Sequence, residues 1–322
     1  MVTLHDIRAA QGRIRGVATR TPLLPYPAAL PGDPISLKLE SLQPMGAFKL
    51  RGAYNKIVSL SEAERQRGVI TYSSGNHAQA VAYAARALGC RAVVVMPSNA
   101  PAIKQESTLA MRAEIILVGP SSAERQARAE DLAQRYGYVM VPPYNDEKII
   151  AGQGTIGLEI LEDLPQVELV LSPVSGGGLL SGIATAIKLS RPETKVVGVE
   201  PELAADAQES LRTGRLVEWP AEKTTRTLCD GLRTQSLGAI PFEHVRRYVD
   251  DIVTVSEDEI REAMRRLALV ARVVAEPSGA ASLAAFLFHR TALPKSQCTV
   301  AVISGGNAEP ALLAEILAAK TA

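Results

Sequence analysis

Aromatic side chains are scarce in this chain. They make up 4% of the 322 residues, with a single Trp and four Phe. Because base stacking and sugar-binding shelves are built from aromatic rings, this scarcity argues against a nucleic-acid or sugar-binding surface. An excess of either charge is also missing, since 35 Lys and Arg stand against 34 Asp and Glu. No basic surface for nucleic acid or an anionic membrane is therefore expected.

Cysteine and histidine are few and scattered. The three cysteines are Cys90, Cys229 and Cys298. Their odd number and wide spacing argue against a disulfide framework or a zinc site, and the four histidines form no metal motif. The start MVTLHDIRAAQGRIRG does not have the apolar core of a signal peptide. We therefore expect free thiols and a cytoplasmic protein.

Long hydrophobic runs are also rare, and one uncharged stretch approaches the length of a membrane-spanning helix. It is 169–187, LVLSPVSGGGLLSGIATAI. Pro173 and the glycines at 176–178 would break such a helix in its first half. We expect a buried strand, a glycine turn and a helix here, and no membrane partner.

The same order of strand, turn and helix recurs along the chain. Apolar runs predict strands at 36–40, 69–73, 92–96, 114–118, 138–141, 169–174, 195–200, 251–255 and 298–303. Helical patterns lie at 49–59, 76–88, 101–111, 121–136, 148–162, 179–190, 257–273 and 279–290. This alternation predicts an α/β protein with parallel sheets covered by helices. The length predicts two domains, and 200–235 is expected to be irregular cover over a site.

Four glycine- or serine-rich turns are predicted to follow strands and precede helices, the second less clearly than the others. They are 73–77, 152–155, 175–178 and 304–307. In open α/β sheets, ligands bind beyond the carboxyl ends of the strands. Glycines let backbone amides approach a ligand, and the following helix dipole favours an anion such as phosphate.

The turn at 175–182 permits a dinucleotide interpretation. It follows a strand and opens a helix, and Glu200 ends the next strand where an acid would hold a ribose. However, Ser181 stands where the third glycine of that fingerprint is expected. A tight turn without a ligand is the alternative.

Lys49 stands at a predicted helix start, where the helix dipole repels a cation. That repulsion lowers the pKa of an amine, as a Schiff-base nucleophile requires. The alternative is an ordinary solvated lysine. The apolar neighbours Met45, Ala47, Phe48 and Leu50 argue against full exposure.

The segment 38–53, KLESLQPMGAFKLRGA, resembles the pyridoxal-phosphate lysine segment of the serine/threonine dehydratase and serine racemase family. The four turns resemble the other motifs of that family, in its order, and the similarity runs from about residue 4 to 316. The resemblance implies an α/β fold-type-II pyridoxal-phosphate enzyme, similar to tryptophan synthase β, with two open, twisted, mostly parallel sheets flanked by helices. It also implies a large domain of 1–68 and 146–322, with a small domain, 69–145, inserted in it.

The resemblance assigns the cofactor contacts. Lys49 would hold pyridoxal phosphate as a Schiff base and later remove the substrate Cα proton. Phe48 would pack on the pyridine ring, Asn76 would bond the phenolic oxygen, and Ser304 would face the ring nitrogen. The phosphate would be bound by the backbone amides of Ser175, Gly176, Gly177, Gly178 and Leu179.

The resemblance also assigns the substrate side. Ser74 would be the second acid/base, on the cofactor face opposite Lys49. The substrate carboxylate would be held by Ser73, Ser74, Asn76, His77 and Arg125. Apart from the family, His77 reads as a residue of a helix's first turn and Arg125 as a solvated helix arginine.

A cation site follows from the resemblance as well. Glu200, the carbonyl of Ala204 and Asp206 match the family's ligands for Mg²⁺, or for Ca²⁺ or Mn²⁺. A solvated acidic segment is the alternative. Two departures, Tyr72 in place of a His and Thr234 in place of a Ser, bear on substrate choice. The active-site lid would include 230–234.

The implied reaction is elimination of water from L-threonine or L-serine, giving a 2-oxo acid and ammonia. A homodimer is expected, without an appended regulatory domain. The alternatives are a serine racemase, a 3-hydroxyaspartate dehydratase with Arg233 or His77 on the second carboxylate, a binding protein without activity, and an NAD-dependent oxidoreductase.

Overall fold

The computed structural model describes residues 1–28, 33–73, 75–100, 102–119 and 122–319. The strands are β1 (Leu23–Pro25), β2 (Ile35–Leu39), β3 (Val69–Tyr72), β4 (Ala92–Pro97), β5 (Glu114–Val118), β6 (Val139–Met140), β7 (Leu169–Pro173), β8 (Lys195–Pro201), β9 (Asp251–Val255) and β10 (Thr299–Ile303). The helices are α1 (Leu4–Ile14), α2 (Lys49–Val58), α3 (Glu62–Arg67), α4 (Asn76–Ala87), α5 (Ala102–Ala110), α6 (Ser122–Tyr136), α7 (Glu147–Asp163), α8 (Gly178–Ser190), α9 (Asp206–Thr213), α10 (Ala221–Thr224), α11 (Ala239–Tyr248), α12 (Glu257–Arg266), α13 (Pro277–Phe288) and α14 (Pro310–Ala318).

Two sheets organise these elements. The larger has the order β1-β2-β10-β7-β8-β9, and the smaller has the order β5-β4-β3-β6. All pairs are parallel except β1 with β2. The two predicted sheets, mostly parallel and flanked by helices, are confirmed. All four strands of the smaller sheet come from the interval 69–140. The exact domain bounds, 69 and 145, stay a prediction.

Several predicted elements need correction. The segment 200–235 is not irregular throughout, because it contains α9, α10 and two 3₁₀ turns. The predicted helix 257–273 is α12 followed by a π-helix, Leu267–Ala271, that ends at Arg272 with φ 58°. In the described part of the chain, no helix is both long and apolar enough to cross a membrane.

The predicted glycine turn at 152–155 is wrong, since these residues lie inside α7. A Cβ on Gly152 would be 2.6 Å from the Arg51 carbonyl oxygen in α2. A Cβ on Gly182 in α8 would be 2.5 Å from the Gly154 amide nitrogen. The glycines therefore serve close packing of α7 against α2 and α8, and this packing fixes where α2 begins.

Candidate active site

The segment before α2 runs beside the turn that follows β10. The Phe48 N–H donates to the Ser304 carbonyl at 3.1 Å, and the Gly306 N–H donates to the Gly46 carbonyl at 2.8 Å. Gly46 has φ 68°, which glycine adopts readily. Two segments far apart in sequence thus meet at the carboxyl end of the large sheet, as predicted for Lys49 and Ser304.

Lys49 is the first residue of α2 and is half-buried. Its Nζ donates to the Pro143 carbonyl at 2.7 Å and lies 5.1 Å from the centre of the Phe48 ring. Burial lowers the pKa of the Lys49 amine to about 8. The predicted direction of this shift is confirmed, but its cause is loss of hydration rather than the helix dipole.

Asn76 joins two segments that border the site. Its Oδ1 accepts from Asn307 Nδ2 at 2.8 Å, and its Nδ2 donates to Glu276 Oε1 at 2.7 Å. Asn307 also donates to the Met45 carbonyl at 2.9 Å. The side-chain amide of Asn76 is therefore held in one orientation. The sequence analysis missed Glu276, because it began the helix at 279 and left the residue that precedes α13 outside it.

The loop between β7 and α8 has room only for backbone. A Cβ on Gly176 would be 2.4 Å from the Tyr144 ring, and a Cβ on Gly177 would be 2.6 Å from Leu237. Ser175 has φ 57° and Gly177 has φ 87°. The first amides of α8, beginning at Gly178, follow directly, and an anion suits the positive end of this helix. The donor set fits a phosphate group.

Ser304 is buried at the end of β10, and its Oγ donates to the Ser278 carbonyl at 3.5 Å. Ser175 Oγ and Thr234 Oγ1 are 3.3 Å apart. Ser73 Oγ accepts from the Gly75 N–H at 3.3 Å. Ser74 lies outside the described residues.

His77 is buried, and its Nε2 lies 2.9 Å from the Val141 carbonyl. A carbonyl can only accept, so Nε2 carries the proton. Burial, and then the nearby Lys49 charge, lowers the pKa of His77 to about 3. His77 is therefore neutral at physiological pH, and its Nδ1 is buried without a partner in the described structure.

Arg125 and Arg233 belong to different borders of the molecule. Arg125 is half-buried in the first half of α6, and burial lowers the pKa of its guanidinium. Arg233 donates from Nε and Nη2 to the Thr227 carbonyl at 2.9 and 2.7 Å. The predicted lid residue Gly231 donates its N–H to Ser278 Oγ at 3.0 Å. The substrate contacts predicted for Arg125 and Arg233 stay predictions.

Glu200 and Asp206 form a buried acidic pair where β8 passes into α9. Glu200 accepts from the Gln208 N–H at 2.8 Å and the Ala207 N–H at 3.3 Å. Both carboxylate oxygens of Asp206 are buried without a hydrogen-bond partner in the described structure. Burial raises the pKa of Asp206 to about 7, and burial and then Asp206 raise that of Glu200. Ala204 lies between them in a 3₁₀ turn.

The described residues contain no cluster of three or more His, Cys, Asp or Glu side chains that could hold a metal. Two carboxylates and a backbone carbonyl at 204 would instead supply an all-oxygen set, which fits a hard divalent cation. The burial of Glu200 against α9 also removes it from the ribose-binding role of the dinucleotide interpretation.

Known proteins were compared with this chain. Residues 14–305 match the family described as "Pyridoxal-phosphate dependent enzyme". The L-threonine ammonia-lyase of Thermotoga maritima is 46% identical over 320 residues, covering 98% of this chain and 78% of that protein.

Two solved structures are also similar. A threonine deaminase, its source given as T.th., has a TM-score of 0.90 at 44% identity, covering 95% of this chain and 99% of that chain. Maize serine racemase has a TM-score of 0.93 at 37% identity, covering 98% and 96%. With its lysine segment, phosphate-sized glycine loop and buried serine in the matched region, the chain belongs to the pyridoxal-phosphate dependent enzyme family.

Proposed function

We propose that the protein is a pyridoxal-phosphate dependent ammonia-lyase that eliminates water from L-threonine and L-serine. The products are a 2-oxo acid and ammonia. The observation that carries this proposal is the amine of Lys49, whose pKa burial lowers to about 8 beside the turn at Ser304. Similarity to an L-threonine ammonia-lyase at 46% identity supports the choice of substrate.

Bound pyridoxal phosphate supplies an electron sink for the substrate Cα. Lys49 Nζ is the group that would attach to it and then move the proton at the substrate Cα. A pKa near 8 suits both tasks, because the amine is partly unprotonated at neutral pH and still a competent base. The Pro143 carbonyl holds Nζ at 2.7 Å until the amine is used.

The other cofactor contacts follow from the donors in place. One amide hydrogen of Asn76 is committed to Glu276, and the other would donate to the phenolic oxygen of the cofactor. The amides of Ser175 to Leu179 would bind the phosphate, and Phe48 would pack on the ring. Ser304 would offer a neutral hydroxyl to the ring nitrogen. A neutral partner leaves that nitrogen largely unprotonated, which favours elimination over a long-lived carbanion.

The substrate side is proposed from Ser73, Ser74, His77 and Arg125, with Asn76 shared between substrate and cofactor. Ser74 would carry the proton on the face opposite Lys49. A neutral His77 would act through its ring nitrogen rather than through a charge, since burial lowers its pKa to about 3.

We also propose a divalent cation, Mg²⁺ or else Ca²⁺ or Mn²⁺, held by Glu200, the Ala204 carbonyl and Asp206. The two orphaned oxygens of Asp206 support it, because unpaired buried carboxylates are costly. The cation would neutralise the pair and tie β8 to α9.

The substrate panel tests the proposal. Release of 2-oxo acid would be measured from L-threonine, L-serine and both 3-hydroxyaspartates. Lys49→Ala should abolish turnover, whereas Lys56→Ala, on the same helix, should retain it. Full turnover by Lys49→Ala would overturn the proposal.

Serine racemase is the second candidate, favoured by the TM-score of 0.93 to maize serine racemase. It would use the same residues, with Ser74 returning the proton to the opposite face. The ratio of D-serine to pyruvate formed from L-serine separates the two activities.

We propose a cytoplasmic homodimer whose small domain spans 69–145. A cavity of about 460 Å³ is bordered by the exposed side chains of Leu24, Leu42 and Val274, which supports contact with a second copy. Light scattering on the wild type and Leu42→Arg tests this contact. A wild-type monomer would contradict it.

A further inference from the structure

Four charged side chains are buried beside the lysine segment without reaching the cofactor site described above. Lys38 and Glu40 are 0% exposed, Arg51 is 1% exposed and Glu159 is 4% exposed. We call these four residues the buried charge cluster. Its two cations and two anions cancel. Long charged side chains are almost never fully buried unless they are paired.

Arg51 is the centre of the buried charge cluster. Its Nε and Nη2 donate to the two carboxylate oxygens of Glu40, both at 2.8 Å. Its Nη1 and Nη2 donate to the two oxygens of Glu159 at 2.6 and 2.8 Å. Burial alone would raise the pKa of Glu40, but the adjacent Arg51 charge holds it below the ordinary value. One planar guanidinium therefore binds two carboxylates bidentately, which a lysine could not do.

Neighbouring polar groups complete the cluster. Lys38 Nζ donates to Glu159 Oε2 and to the Thr21 carbonyl, both at 2.6 Å. Gln43 Nε2 donates to Glu40 at 3.0 Å. Thr155 Oγ1 accepts from Arg51 Nη1 at 3.1 Å. The cluster is thus a dense set of directed hydrogen bonds, whose geometry is stricter than that of an apolar contact.

The cluster encloses the lysine segment in sequence. The chain leaves β2 at Leu39, turns at Glu40 and enters α2 at Lys49. The pairing of Glu40 with Arg51 therefore closes the segment 41–50 into a loop at both ends. Glu159 fixes that closure to α7, which starts just after Pro143, the carbonyl partner of the Lys49 amine.

Stability alone is a weak reason for such a cluster. Replacing buried ion pairs by well-packed apolar side chains is often neutral or stabilising, whereas directed pairs specify a geometry. The geometry specified here is the position of α2 against α7.

We propose that the buried charge cluster is a positioning device for Lys49, with Glu159 as the anchor that sets the lysine's place relative to α7. Glu159 acts through Arg51 and touches no reacting atom. The proposal rests on Lys49 being the cofactor lysine. Small errors in the position of a reacting group lower turnover steeply while leaving substrate binding nearly unchanged.

Glu159→Gln tests the proposal, and Ile160→Ala is its matched control. The glutamine keeps the shape of Glu159 but removes its charge from the cluster. Ile160 is the next residue of α7, is fully buried, and packs in a hydrophobic core away from the cluster. Both variants should lower the melting temperature. They would be compared as holoenzymes, at temperatures where each is equally far below its own melting point.

We expect Glu159→Gln to lower kcat at least tenfold with KM changed less than threefold. The near-ultraviolet and visible circular dichroism of the bound cofactor should weaken as well. Ile160→Ala should keep kcat within twofold and the dichroism unchanged. If the two variants lose kcat and dichroism equally, or if neither does, the cluster is only structural and the inference is overturned. If the wild type itself releases no 2-oxo acid, the proposed function fails instead.

Thr155→Val covers the case in which Glu159→Gln does not fold. It removes one acceptor from Arg51 and leaves all four charges in place. We expect a threefold fall in kcat at constant KM and a weaker dichroism. Wild-type values of both quantities in this variant would overturn the inference.

Discussion

Raising the pH should accelerate covalent uptake of pyridoxal phosphate by the apoprotein up to about pH 8, and little beyond it. Uptake requires the unprotonated amine of Lys49. Burial lowers the pKa of that amine to about 8, from an ordinary value of 10.5. About one amine in ten is then unprotonated at pH 7, against about one in three thousand for an ordinary lysine. The environment of Lys49 therefore raises the reactive fraction by roughly 300-fold.

The same shift fixes the sign of a stability effect. Below pH 8 the amine is protonated in the folded and unfolded apoprotein alike, so the cost of burying its charge is fully present. Between pH 8 and 10.5 the unfolded chain binds more protons, and stability should rise with pH. Lys49→Met should remove this rise.

Stopped-flow absorbance of the bound cofactor measures the uptake rate from pH 6 to pH 10. His77 does not titrate in this range, because burial lowers its pKa to about 3. Lys56→Ala is the control and should leave the profile unchanged. A rate that kept rising tenfold per pH unit to pH 10 would refute the reasoning, since it would report an ordinary solvated lysine.

Three further changes have defined outcomes. Gly152→Ala should lower the free energy of unfolding by about 2 kcal/mol, because its Cβ would meet backbone at 2.6 Å; urea unfolding measures this, and Gly12→Ala, with open space around its Cβ, should lose nothing. Asp206→Asn should abolish the rise in melting temperature that Mg²⁺ gives the wild type, and a persisting rise would contradict the cation site. Asn76→Ala should release cofactor about tenfold faster, a change of about 1.4 kcal/mol if cofactor binding keeps its rate. Dialysis followed by absorbance measures the release, and wild-type retention would exclude the proposed contact.

The strands were the most predictable part of the fold. Those buried on both faces, such as β7 and β10, appear in the sequence as uninterrupted apolar runs. β1 escaped prediction because it has three residues, too few for any alternation, and pairs antiparallel at the sheet edge. The glycines at 152 and 154 were misassigned to a turn, since glycine marks turns and close helix contacts equally.

The site was predictable only where a local motif carried it. Lys49, Asn76 and the glycine loop each stand in a recognisable segment. Glu159 did not, because its partners Lys38 and Arg51 are more than a hundred residues away and charged side chains are ordinarily expected at the surface. The buried charge cluster became visible only through the contact of α2 with α7.

The place of β10 in the large sheet also bears on how the protein is made. Of the strands in the described part of the chain, β10 comes last in sequence, yet it lies between β2 and β7. The turn after it supplies the Ser304 carbonyl that receives the Phe48 N–H beside the cofactor lysine. A ribosome must therefore deliver almost the whole polypeptide before the site can close. Nascent or truncated chains that end before β10 should stay free of cofactor, so cofactor colour reports completed synthesis.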